Sequence, residues 1–76
     1  MIKYIGKQAR VDKGYTVRSL AAKSTVAPST IWKYEAGYNL PDLVQLDLLA
    51  IALDVDITDL IEFSKGEWKW NIMKRI

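Results

Sequence analysis

The stretch TVRSLAAKSTVAPSTIWKYEAG, residues 16–37, reads as two short helices joined by a tight turn and closed by a glycine. Thr16 is a favourable N-cap, and Val17 to about Ser24 keeps a helical pattern with Leu20, Ala21 and Val17 facing inward. Ser24-Thr25-Val26-Ala27 is too short for anything but a connection, with Val26 as its apolar plug. Pro28 suits a first helical position, where its missing N–H has no partner to lose, and it pushes Ala27 towards an extended backbone. The second helix runs to Tyr34 or Ala36 and stops at Gly37. Helices of this length on so short a turn cross steeply. With Ile31 and Tyr34 turned inward, Pro28, Ser29, Trp32, Lys33 and Ala36 are left on an outward face that the core does not need.

Working outward, residues 2–13 read as a first helix, with Ile2, Ile5 and Ala9 at helical spacing and Gly14 as its stop. Tyr38 to Pro41 is a loop, and Asp42 with Gln45 opens a helix from Leu43 to Leu53 that buries Leu46, Leu49, Ala50 and Leu53. Asp56 and Asp59 cap a short fifth helix containing Ile57, Leu60 and Ile61. The last stretch admits two readings. Trp68, Ile72 and Ile76 fall on one helical face, whereas Trp68, Trp70 and Ile72 alternate as in a strand, with Lys65-Gly66 as a hairpin turn against 61–64. The expected fold is all-α, with five helices and a C-terminal extension that is a helix or a short β-hairpin. The expected division is a domain over 1–63 and a segment over 64–76 that packs on the core or on a second subunit.

Composition narrows the function. Seventy-six residues suffice for one small domain, and half are apolar, which supports a packed core. No cysteine and no histidine are present, which removes disulfides, thiolate sites and the usual catalytic triads. Asp54-x-Asp56-x-Thr58 starts like a calcium loop, but Asp59 stands where glycine is needed and Lys65 where glutamate is needed. No glycine-rich phosphate loop occurs. The expectation is therefore no enzyme, no metal, no cofactor and no evident small-molecule substrate. No apolar run approaches the roughly 20 residues that span a bilayer, and the N-terminus lacks a signal-peptide core, so a soluble cytoplasmic protein is expected. Net charge is +2, but residues 1–39 carry +5 and residues 40–66 carry −5. Such asymmetry suits one face meeting a polyanion.

These residues resemble the lambda-repressor-like helix-turn-helix family of Cro/C1 or Xre type. The matching positions are Arg10, Gly14, Tyr15, Thr16, Val17, Leu20 and Ala21, then Thr25, Val26 and Ala27, then Tyr34, Glu35 and Gly37. Pro41, Leu46, Leu49, Ala50, Leu53, Val55, Ile57 and Leu60 complete the pattern. The resemblance implies a sequence-specific transcriptional regulator, in the simplest case a repressor, that binds a palindromic operator on double-stranded DNA as a homodimer. It implies base reading by Pro28, Ser29, Trp32 and Lys33, backbone contacts by Thr16, Arg18, Thr30, Tyr38 and Asn39, and a structural ion pair between Arg10 and Glu35. Val17 stands where the family has a phosphate-bonding glutamine, and Thr25 stands where it has a turn glycine. Thr25 fits there if its φ stays negative. The alternative reading is a helix-turn-helix fold used for protein binding, as in an anti-repressor or an antitoxin.

Overall fold

A computed structural model describes residues 2–63. The elements run β1 (Ile2–Tyr4), α1 (Gly6–Asp12), α2 (Val17–Ser24), α3 (Pro28–Ala36), α4 (Leu43–Leu53), one 3-10 turn (Ile57–Asp59) and β2 (Ile61–Phe63). The domain is mostly helical, with four α-helices and a two-stranded sheet among the described residues. The two alternative readings of 64–76, helix or hairpin, lie outside them.

Helix boundaries follow from local chemistry. Thr16 and Ser19 form a reciprocal capping box at the start of α2: Ser19 N–H donates to Thr16 Oγ1 at 3.0 Å, and Thr16 N–H donates to Ser19 Oγ at 2.9 Å. Asp42 caps α4 by accepting from Gln45 N–H at 2.8 Å. At the other ends, α1, α3 and α4 close with the same pair of backbone bonds. In α3, Gly37 N–H reaches Tyr34 O and Tyr38 N–H reaches Lys33 O, with Gly37 at φ 84°. This Schellman closure needs a left-handed residue, supplied by Gly14, Gly37 and Asp54. The turn between α2 and α3 also needs one, and there it is Thr25, at φ 65°. The condition under which threonine suits this position, a negative φ, is therefore not met. The backbone must swing sharply for α3 to cross α2, and Thr25 accepts the conformation that glycine would adopt without strain.

The core is one cluster. Leu20 and Ala21 of α2, Val26 of the turn, Ile31 and Tyr34 of α3, and Leu46, Leu49, Ala50, Ala52 and Leu53 of α4 are buried together with Tyr4 and Leu60. Helix α2 lies against both α3 and α4, and its small Ala21 permits that approach. Ser24 is buried at the corner, where its hydroxyl oxygen accepts from Val26 N–H at 3.2 Å.

Two expectations about the ends are corrected. Residues 2–4 are strand rather than the start of a helix, and Ile2 is exposed while Tyr4 is buried. The fifth helix is a single 3-10 turn, closed by Asp56 N–H donating to the Asp59 carboxylate at 3.0 Å. Both differences have one cause. Ile61–Phe63 pairs antiparallel with Ile2–Tyr4, in the register Ile2 with Phe63, Lys3 with Glu62 and Tyr4 with Ile61. Ile5 N–H continues the connection by donating to Leu60 O at 2.8 Å. This pairing draws both segments out of helix, which suits their β-branched and aromatic residues. A two-stranded ribbon is marginal alone and needs a surface to pack on. Tyr4 provides that anchor, its ring 5.9 Å from the Tyr34 ring of α3.

Candidate nucleic-acid interface

Helix α3 is amphipathic in a simple way. Ile31 is fully buried and Tyr34 nearly so, and the positions between them face out. Pro28, Ser29, Trp32 and Lys33 are all exposed. They form two lines along the helix, Pro28–Trp32 and Ser29–Lys33, because residues four apart sit one above the other. Lys33 has no ion-pair partner among the described residues.

The five residues assigned to the DNA backbone fall into two groups. Thr30, Tyr38 and Asn39 line one open hollow of 1060 Å³ at the C-terminal end of α3. Thr16 and Arg18 lie elsewhere, on the first turn of α2, both exposed. The Thr16 hydroxyl is already engaged with Ser19, whereas Arg18 has no ion-pair partner among the described residues. The hollow also contains Lys3, from the strand that the sequence pattern missed. The pairing of β1 with β2 is what carries it to the edge of α3.

Arg10 and Glu35 meet across helices α1 and α3. Arg10 Nε donates to Glu35 Oε2 at 2.7 Å and Nη2 donates to Oε1 at 3.0 Å, while Nη1 donates to Tyr15 O at 2.8 Å. The side chains are 11% and 7% exposed, so the pair is shielded from water. The hydrogen bond to Glu35 holds the Arg10 guanidinium above its ordinary pKa. Glu35 also borders the hollow, but its charge is matched by Arg10 rather than opposed to an approaching anion. On the neighbouring surface, Lys23 Nζ donates to the Tyr15 hydroxyl at 2.6 Å and lies 5.1 Å from that ring's centre.

Trp32, assigned to bases, and Tyr38, assigned to the DNA backbone, lie together, their ring centres 5.8 Å apart with planes at 30°. The Gly37 closure makes this possible, because it turns the chain back so that Tyr38 lies beside the last turns of α3.

No helix among the described residues is long and apolar enough to cross a membrane. A family model described as "Helix-turn-helix" matches residues 7–60, which take in α2, α3, α4 and all but the first residue of α1. No curated protein matches the chain.

Proposed function

The chain belongs to the helix-turn-helix family of Cro/C1 type, a DNA-binding regulatory family, and from that premise we propose that it is a sequence-specific transcriptional repressor. In this reading α3 enters the major groove of double-stranded DNA, with Pro28, Ser29, Trp32 and Lys33 towards base edges. Thr30, Tyr38 and Asn39 follow one strand's sugar–phosphate rail, and Arg18 with the first turn of α2 follows the other. Arg10 and Glu35 hold α3 in place and touch no DNA. The role is binding rather than catalysis. The observation that carries the proposal is the outward face of α3: four exposed side chains, one of them a lysine with no ion-pair partner among the described residues, on a helix whose other face is committed to the core.

The proposal includes a homodimer on a palindromic operator, because two recognition helices about 34 Å apart match successive major grooves. Its support is apolar exposure at one end of the domain. Ile2, Leu40, Leu43 and Phe63 are exposed and rim a mostly apolar hollow of 420 Å³. Residues 64–76, which continue from Phe63 and include Trp68, Trp70 and Ile72, are assigned to the same contact. Sedimentation of the wild type and of Leu43→Asp tests this point, with a dimer expected for the first and a monomer for the second.

Selection from randomised duplexes, followed by titration across a salt series, tests the function itself. A near-palindrome with half-sites about 10 base pairs apart, and affinity that falls steeply with salt as counterions are released, is the expected result. No selected sequence and no salt dependence would overturn the proposal and point to a protein partner, as for an anti-repressor or an antitoxin.

A further inference from the structure

The outward face of α3 is poor in hydrogen-bonding groups and rich in apolar surface. Trp32 is 56% exposed and Tyr38 71% exposed, and neither ring helps to fill the core, which Ile31 and Tyr34 already occupy on this helix. Two large rings held together in water contribute little to folding. Pro28, Trp32 and Ala36 recur at i, i+4 and i+8, so the pyrrolidine ring, the indole and the alanine methyl share one line of the helix. Tyr38 backs that line at its C-terminal end.

The major groove offers one apolar feature to such a surface, the 5-methyl group of thymine. We infer that the Pro28–Trp32–Tyr38 strip recognises thymine methyl groups, with Trp32 as the contact and Tyr38 as the plate that holds the indole in position. The inference rests on the proposed entry of α3 into the major groove. Charge complementarity supports DNA as the occupant: Lys33 lies beside the strip, Lys3 shares a hollow with Tyr38, and Glu35, which borders that hollow, is paired with Arg10. Ser29 and Lys33, on the adjacent line, then supply the few hydrogen bonds that fix register. Preference arises chiefly from methyl burial rather than from bidentate pairing to purines.

The test uses the duplex selected above, with each thymine of a half-site replaced in turn by 2′-deoxyuridine. This removes one methyl and leaves every hydrogen-bonding group in place. At one or two positions per half-site the wild type is expected to lose about three- to tenfold in affinity, the value of one buried methyl. Trp32→Ala, on the exposed face and checked for folding by circular dichroism, is expected to bind the thymine and uracil duplexes equally. Tyr38→Ala is expected to reduce the difference in part. Equal wild-type affinity for all duplexes overturns the inference while leaving sequence-specific binding intact, and so does a methyl effect undiminished in Trp32→Ala. Failure to select any sequence overturns both readings together.

Discussion

The Arg10–Glu35 fork is the only ion pair among the described residues, and it joins the first helix to the third. Its position explains how a domain this small holds its exposed helix at a fixed angle. Helix α3 packs on α2 and buries Ile31 and Tyr34 in the core, and the fork adds a second, directional attachment to α1. Removing one partner leaves the other shielded and unpaired. Arg10→Ala and Glu35→Ala are each expected to cost about 3 kcal/mol, whereas Arg10→Met with Glu35→Leu together costs less than either alone. Urea unfolding of the four proteins checks this, and additive losses would contradict it.

Thr25 is a β-branched residue at φ 65°, a conformation in which its Cβ crowds the backbone. Thr25→Gly is therefore expected to stabilise the domain by about 1 kcal/mol, which in a domain of this size raises Tm by roughly 4–8 °C. Asp54, also left-handed at φ 56°, tolerates the conformation better, so Asp54→Gly gains less. Thermal melts that rank the two substitutions the other way would show that the strain lies elsewhere.

The Tyr4 hydroxyl is buried with no hydrogen-bond partner among the described residues, and it lies against Gly6. A Cβ on Gly6 would overlap the Tyr4 ring, so Gly6→Ala is expected to cost about 1–3 kcal/mol, despite alanine's better helix propensity. Tyr4→Phe removes an unsatisfied group and is expected to gain up to about 1 kcal/mol. Burial, and then the Glu35 carboxylate, push the Tyr4 hydroxyl up to about 12 from its ordinary 10.0. Between those values the folded state binds more protons than the unfolded chain, so this group makes stability fall as pH rises through the window and contributes no slope below it. Urea midpoints of wild type and Tyr4→Phe at pH 8 and pH 11 should diverge further at the higher pH. Parallel shifts would contradict the assignment.

The helical part of the domain was legible because its signals are local. Thr16, Pro28, Gly37 and Asp42 mark boundaries by local chemistry alone, and Leu20, Ile31 and Leu49 each fall on the apolar face of their own helix, where all three are fully buried. The sheet was not legible. Its two strands are three residues each and nearly sixty residues apart, and Ile2 and Ile5 continue backwards the helical spacing of Ala9 in α1, which imitates a longer helix. Thr25 shows another limit: the spacing that marks a turn does not say which backbone region the turn imposes. At the site, the exposure of Pro28, Ser29, Trp32 and Lys33 follows from burying Ile31, which is a local fact. The Trp32–Tyr38 pairing depends on the closure geometry at Gly37, and the arrival of Lys3 depends on the strand pairing.

Gly37 at φ 84° has nothing within 4 Å of where a Cβ would stand, so Gly37→Ala carries only a conformational penalty of about 1 kcal/mol. Because the closure also positions Tyr38, the same substitution is expected to loosen the ring from Trp32. The expected result is a small loss in Tm together with a loss in selectivity between thymine and uracil duplexes. A loss in stability with unchanged selectivity would mean that Tyr38 has no part in holding the indole.

Lys3 and Lys33 separate positioning from reading. Lys33 lies on the polar line of α3, so Lys33→Ala with Ser29→Ala is expected to cost about 1–3 kcal/mol on the selected duplex and to relax preference at the base pairs they face. Lys3 lies in the hollow with Thr30, Tyr38 and Asn39, where a phosphate would sit, so Lys3→Ala should weaken binding to all duplexes alike and lower the salt slope by about 1. Glu62 stands directly opposite Lys3 in the sheet register, and no acid elsewhere in the strand pair shares that position. If a phosphate approaches here, that carboxylate opposes it, and Glu62→Gln should raise affinity for every duplex while leaving the ranking of sequences unchanged. Titrations at two salt concentrations distinguish the outcomes. A Glu62→Gln protein that bound DNA no better than wild type, with Lys3→Ala also silent, would place the phosphate rail away from β1 and leave Arg18 and α2 to carry it.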